Sequence, residues 1–461
     1  MLPLEEHLYL PKDPKPVNKD KVQQLLKKEK EYYLTKTKKS KENFKTSTKT
    51  LPLGVPSTFQ YWDPYPIAVK NAKGAYLTDL DGESYLDLSM GFGALQIGHT
   101  HPELIESIKS VLEDGLLYVS PSALASKAAQ VITERFKIDQ VRFTNSGTES
   151  IMYAIRTAKV FTQRDGLLKI EGGYHGGFDP SMVSAKPNLE EAGAPDCIKP
   201  VVAKGTTPGD VTPIPYNDLK YLSQVLELNP TRYAALLIEP IMENIGIVLP
   251  DENYLTELHM LLKRYGVLLI IDEIKTGYTA GPQGASALYG VTPDLITLAK
   301  SIGGGVTVGA FGGKKEIMEK ITSNQASHYG TYNGNTLAMQ AVITVDAILT
   351  PEILEQARQR NIRTLFQINA LIENYQLPTH TVGFGSKGSV VWSPLRVRNY
   401  RDYKGIDFEL AELNWLWNIN RNIITPPGLD EQWLVSILHT DQDMQKLVDS
   451  FHSLAIELRS H

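Results

Sequence analysis

The sequence predicts an α/β protein, with a large domain on a mostly parallel sheet covered by helices and a smaller α+β domain beside it. Three observations carry that expectation. Between residues 100 and 350, short Val/Ile/Leu runs such as YAALLIEP, VLLIIDEI and DLITLAK alternate with longer amphipathic segments, as strands buried on both faces alternate with covering helices. Upstream, AYLTDLDGESYLDL reads as two strands joined by Asp81-Gly82, a strong hairpin signal. Downstream, the helical periods of PEILEQARQRNIRTLFQINALIENY lead to a strand, GSVVWS, and a last helix near 441–459.

Length and composition agree. The 461 residues, 42% hydrophobic and 21% charged, suit a two-lobed globular protein rather than a fibre or a disordered chain. A net charge of −5 gives no global attraction to nucleic acid, and no run of 18 apolar residues is present to span a bilayer. One cysteine, Cys197, excludes an internal disulfide, and MLPLEEHLYL lacks the pattern of a secretory leader. A cytoplasmic setting is expected. The chain divides into a lysine-rich extension (1–50), the amino-terminal part of the small domain (51–99), the large domain (100–350) and the carboxy-terminal part of the small domain (351–461). The extension holds 13 lysines against seven acidic residues. Val22, Leu25 and Leu26 offer it a short helical face, but LTKTKKSKENFKTSTKT is too polar to order itself, so a solvated arm or a tether is expected.

In an open parallel sheet, ligands bind beyond the carboxyl ends of the strands. Polar groups follow five apolar runs there: Ser146-Gly147-Thr148, Tyr174-His175, Glu239, Asp272-Glu273 and Lys300. Ser146 and Glu149 have capping-box spacing. As a cap the segment needs no ligand, yet a helix N-terminus opened by Gly147 also suits a phosphate dianion. Asp272, after five apolar residues, is an ionised group that needs a cationic partner, or else a cap on the next turn. Lys300, before Gly303-Gly304-Gly305, is a candidate desolvated nucleophile in a place where lysine is otherwise commonplace. A phosphate cradle, a carboxylate for a ring nitrogen, an aromatic face and a reactive lysine are together what pyridoxal 5'-phosphate requires.

Beyond these single groups, DEIKTGY, PDLITLAKSIGGGVTVGAFGG and GTYNGNTLAMQA resemble blocks of the class III, fold type I pyridoxal-phosphate aminotransferases. The similarity runs in order from AKGAYLTDLDG through RFTNSGTESIMYAIRTA and EGGYHGGFD to PPGLDEQWLVSILHTDQD, about 400 residues, and the branch it most resembles is that of the glutamate-1-semialdehyde aminomutases. The resemblance implies a fold type I transferase whose small domain is built from both chain ends. It further implies that Lys300 forms a Schiff base with the cofactor, that Asp272 pairs with its ring nitrogen, and that Ser146, Gly147 and Thr148 hold its phosphate. Tyr174, His175 and Ile274 would flank the ring, Glu239 and Asn244 would border it, and Thr331 would reach the phosphate across a homodimer interface.

The substrate end departs from the family pattern. TGYTAGPQGAS lacks the arginine that grips a substrate carboxylate in many relatives, and Gln60, after Ser57, stands where the aminomutases carry another. Arg396 and Arg398 are candidate replacements, and Tyr61, Trp62 and Tyr65 a candidate aromatic wall, unless WDPYP is simply a rigid packed loop. The expected activity is ping-pong amino transfer between a small-molecule amine or amino-acid donor and a carbonyl acceptor. That acceptor is expected to lack a free α-carboxylate, as a β-keto compound, an aldehyde or a carrier-bound thioester does. The alternative is amino transfer within one molecule, as in an aminomutase. Gly383-x-Gly385-x-x-Gly388 is read as a turn rather than a dinucleotide fingerprint, and His99 and His101 suggest no metal.

Overall fold

The computed structural model describes residues 7–427 and 432–460. The chain opens with β1 (His7–Tyr9), α1 (Lys19–Lys36) and α2 (Lys38–Ser47). A hairpin unit follows, made of β2 (Val69–Lys73), β3 (Tyr76–Asp79) and β4 (Ser84–Asp87). The middle of the chain supplies β5 (Gln140–Thr144), β6 (Gly166–Ile170), β7 (Val211–Ile214), β8 (Tyr233–Ile238), β9 (Leu268–Asp272), β10 (Leu295–Leu298) and β11 (Gly309–Gly313). The last part adds β12 (His380–Phe384), β13 (Lys387–Val391), β14 (Ile423–Ile424) and β15 (Gln432–Leu434).

Seven strands form the central sheet in the order β5-β11-β10-β9-β8-β6-β7. Neighbours from β10 through β9, β8 and β6 to β7 are parallel, and only β11 runs against both of its neighbours. Every residue of β8 and of β10 is buried, because helices cover both faces and leave no polar side to alternate with. Their carboxyl ends therefore open onto one edge.

Two four-stranded sheets complete the fold. One, β14-β4-β3-β2, joins the early hairpins to a strand near the end of the chain; the other, β1-β12-β13-β15, joins residues 7–9 to residues 380–434. The small domain is thus built from both ends of the sequence. The Gly383/Gly385/Gly388 triad lies in the β12–β13 hairpin. Gly385 makes the turn at φ +48, and a side chain on Gly388 would sit 2.4 Å from the Trp433 ring.

The expected solvated amino-terminal arm is corrected by the structure, because residues 7–47 fold onto the small domain. Val22, Leu25, Leu26, Glu29 and Tyr33 are buried at helical spacing along α1. They share one core with the helix Phe408–Asn420, including Trp415 and Leu416. Glu29 is held by Asn420 Nδ2 at 2.7 Å and by the Arg421 guanidinium at 3.2 Å, and Tyr33 donates its hydroxyl to the Tyr65 carbonyl at 2.7 Å. Lys27 and Lys28 lie on the opposite, exposed face, whereas Lys36 reaches inward to the Asn420 carbonyl at 3.1 Å. The high charge hid a stripe only five residues wide.

Candidate active site

Five loops leaving the carboxyl ends of β5, β6, β8, β9 and β10 enclose a cavity of about 940 Å³. It is lined by Ser146, Gly147, Thr148, Tyr174, His175, Glu239, Asn244, Asp272, Ile274 and Lys300, with the segment Thr58–Phe59 and Gly91–Phe92 closing the far side.

After β5 the chain enters the helix Gly147–Thr162, whose N-cap Ser146 accepts from the Glu149 N–H at 3.2 Å. The reciprocal half of the expected capping box lands one residue earlier, where Glu149 accepts from the Asn145 N–H at 2.8 Å. The N–H groups of Gly147 and Thr148 belong to the first turn, so no helix carbonyl can reach them, and they carry the positive end of the helix dipole. A Cβ at Gly147 would fall 2.7 Å from Ile274 Cδ1, and one at Gly176 would fall 2.3 Å from Thr148 Oγ1. Only glycines let these loops meet there.

Asp272 ends β9. Its Oδ1 accepts from the Ile274 N–H at 2.9 Å and from Thr297 Oγ1 at 3.3 Å, and its Oδ2 lies 2.7 Å from His175 Nδ1. Both side chains are buried, and His175 Nε2 has no hydrogen-bond partner. The carboxylate is fixed, with lone pairs to spare for a cationic nitrogen. Glu273, next in sequence, turns away to accept from the N–H groups of Ala285 and Ser286.

Lys300 follows β10 with a left-handed backbone, φ +49, a conformation that costs a non-glycine residue roughly 1–2 kcal/mol and is typical of strained functional positions. Burial, reinforced by the nearby cations Lys275 and Lys387, pushes its amine down from 10.5 to about 8. Glu239, also buried, accepts from the N–H groups of Tyr174 and Glu243 and from Asn244 Nδ2 at 2.9 Å, and burial raises its pKa. Tyr174 is met edge-on by Phe59 at 5.4 Å.

Several residues named from the sequence stand elsewhere. Arg396 and Arg398 do not line the cavity: both pair with Asp251 at the surface. Of the aromatic wall only Tyr61 lines the cavity: Trp62 packs against Trp415 and donates to the Tyr33 hydroxyl at 3.0 Å, and Tyr65 is buried against Tyr33. Ser57 and Gln60 are exposed and outside the lining, which takes Thr58 and Phe59 from that segment. Thr331 is exposed and does not reach this chain's own cavity. His99 is paired with Asp87 at 2.7 Å.

Sequence reasoning passed over Lys169, Glu243, Lys275 and Lys387. Lys169, fully buried in β6, donates to the carbonyls of Ile170 and Gly173 at 3.2 and 2.5 Å and so ties down the loop that carries Tyr174 and His175. A lysine inside the apolar run LLKIEGG was the available sign. Lys275 lines the cavity, three residues after Asp272.

The residues present fit pyridoxal phosphate. A free helix N-terminus suits its dianion, an anchored buried carboxylate suits its ring nitrogen, Tyr174 and Ile274 offer flat apolar faces, and the Lys300 amine is held low enough in pKa to react with an aldehyde. Fold and site together define a fold type I, pyridoxal-phosphate-dependent enzyme.

Comparison with known proteins gives the family. The family model described as aminotransferase class-III matches residues 59–390, and the chain belongs to that family. It is 35% identical, over 91% of its length and 99% of the relative's, to glutamate-1-semialdehyde 2,1-aminomutase 2 of Listeria monocytogenes serotype 4a (strain HCC23). Among solved structures it is similar to an omega-transaminase from Sphaerobacter thermophilus, with a TM-score of 0.85 and 29% identity over 91% of this chain and 98% of that one. It is likewise similar to a beta-phenylalanine aminotransferase from Variovorax paradoxus, with a TM-score of 0.86 and 27% identity over 94% and 97%.

Proposed function

We propose that this chain is an aminomutase-type enzyme, moving an amino group within one substrate molecule with pyridoxal phosphate bound at Lys300. The observation that carries the chemistry is the meeting of Lys300, Asp272 and the first turn of the helix Gly147–Thr162 in one cavity. The intramolecular course is supported by the 35% identical relative, which bears an aminomutase name.

When bound, pyridoxal phosphate would supply the aldehyde that the substrate's amine can join and an electron sink for the carbon beside it. Every other part falls to the protein. The first-turn N–H groups of Gly147 and Thr148, with the Ser146 hydroxyl, hold the phosphate. Asp272, fixed by Ile274 and Thr297, keeps a proton on the ring nitrogen, so that charge developing in the ring meets a preorganised counter-ion. Tyr174 and Ile274, both in the cavity wall, would enclose the ring, and Asn244, oriented by Glu239 at 2.9 Å, would border it. The Lys300 amine, with a pKa of about 8, is neutral in a useful fraction near neutral pH and serves as the base that moves the proton.

The active unit is a homodimer in which Thr331 serves the partner's phosphate site. In support, Leu116, Leu117, Tyr118 and Val119 are exposed together, Tyr329 and Tyr332 on either side of Thr331 are exposed as well, and Thr336 ties the two segments by a hydrogen bond to the Gly115 carbonyl at 2.8 Å. Light scattering checks it: twice the 51.3 kDa chain mass supports the dimer and a monomer refutes it. The lone exposed thiol, Cys197, suits a reducing cytoplasm.

A second reading, transfer between a separate amine donor and a carbonyl acceptor that is free or carrier-bound, is favoured by the likeness to two transaminases and by a cavity without arginine. Turnover decides between the two. The holoenzyme given glutamate-1-semialdehyde alone completes many turnovers if the transfer is intramolecular. Stalling after one equivalent, with recovery on adding a carbonyl compound, assigns the second reading.

A further inference from the structure

Among the described residues no arginine lines the cavity, and the two arginines nearest in expectation are spent on Asp251. A third, Arg401, is committed to Glu171 at 2.9 Å. One partly buried cation of the cavity wall, Lys275, acts above only through its charge, which helps to lower the Lys300 amine. Lys275 Nζ donates to the Glu243 main-chain carbonyl at 2.6 Å, and among the described residues no carboxylate is within ion-pair distance of it. Of the acids near it, Glu243 is already bound to Lys387 in a fully buried pair, and Glu239 is close enough to feel its charge but not in ion-pair contact. Lys387 in turn donates to the Lys275 carbonyl at 3.2 Å. The wall over this pair is bare backbone, since a side chain on Gly93 would lie 3.1 Å from Lys387 Nζ.

Charge matching makes the vacancy specific. Glu243 and Lys387 cancel, Asp272 faces His175, and Glu239 is occupied by three N–H donors. Lys275 is left half-buried at the cavity wall with two open donors and no carboxylate in ion-pair contact among the described residues, where an arriving anion would make a charge-assisted hydrogen bond. The exposed Lys186, also at the cavity, is solvated and carries no such demand.

We propose that Lys275 binds a carboxylate of the substrate, in the place of the arginine fork, and that the Glu243–Lys387 pair is the positioning element that holds it. This rests on the reading that the substrate's amine reacts at Lys300. A point charge replaces a fork, so the site favours a single carboxylate approached from the Glu243 side and demands less of its orientation. The expectation that the acceptor lacks a free α-carboxylate is compatible with this site, since a carboxylate farther from the reacting carbon satisfies both.

The test pairs amines that differ by one carboxylate: 3-aminobutanoate with 2-aminopropane, 4-aminobutanoate with propylamine, and 5-aminopentanoate with butylamine. Each is given to purified holoenzyme and the cofactor's absorbance change is followed. In wild type at least one carboxylated member reacts faster than its partner. Lys275→Met lowers kcat/KM for the carboxylated members roughly 10- to 100-fold relative to the plain amines, the loss of one charge-assisted bond; Lys275→Arg restores most of it. An absorbance–pH profile in Lys275→Arg, which keeps the charge beside Lys300, that matches wild type shows that the cofactor is undisturbed. An equal loss for both members, an unaltered preference, or wild-type reaction with the plain amines alone overturns the proposal. A holoenzyme that forms no cofactor absorbance and reacts with nothing overturns the underlying reading instead.

Discussion

Lys300 shows what a single buried charge does to both chemistry and stability. Its pKa falls from 10.5 to about 8 chiefly through burial and then through Lys275 and Lys387, so the native state resists protonating it while the unfolded chain does not. The sign follows from linkage: between about pH 8 and 10.5 the unfolded state holds the extra proton, and stability rises with pH. Below about 8 the penalty is complete, at most roughly 3 kcal/mol for a shift of this size. The cofactor-free Lys300→Met protein should therefore be more stable than wild type in urea at pH 7, with the gain shrinking as pH approaches 10. A destabilised Lys300→Met at neutral pH contradicts this account of the amine.

Residues at the ends of apolar runs were readable in the sequence because strand ends converge by topology, whatever the loops do. Lys300, Asp272, Tyr174 and Ser146 came out together for that reason. Arg396 and Arg398 were misplaced because sequence shows charge without showing the counter-charge, and Asp251 is about 147 positions away. Lys275 was missed for the converse reason, since nothing local distinguishes a lysine facing a cavity from one facing water.

At the scale of elements, periodicity carried the reading where burial was two-sided. β8, β9 and β10 are apolar runs because both faces are covered, and the helices Pro351–Asn374 and Asp441–Arg459 keep their stripes where the pattern placed them. α1 failed the same test because its buried stripe is narrow and its other positions are mostly charged or polar; its partner, the helix Phe408–Asn420, lies nearly 400 positions later. Folding of α1 thus depends on tertiary packing rather than propensity. Leu25→Ala, at a position 4% exposed, should cost about 2–4 kcal/mol in denaturant unfolding. Lys28→Ala on the exposed face of α1 should stay within about 0.5 kcal/mol. Equal, negligible effects of the two would mean that α1 does not pack.

The whole molecule unites a scaffold and a clamp. The parallel sheet places five loop ends around one cavity, and the small domain, assembled from residues at both ends of the chain, sends Thr58–Phe59 and Gly91–Phe92 across its far side. A wall on that side would help keep water from the reacting carbon, and under the proposed intramolecular transfer it would protect the amino group on its way back to the same molecule. The two-ended small domain was legible only through family likeness, because strand pairing across more than 330 positions, as between Leu86 and Ile423, leaves no local trace.

Reduction of the holo-protein with borohydride, followed by peptide mapping, tests the central claim most directly. One pyridoxyl group on the peptide that contains Lys300, and none on Lys275 or Lys387, is the predicted result. A label on another lysine, or a protein that binds no cofactor to be reduced, would contradict it.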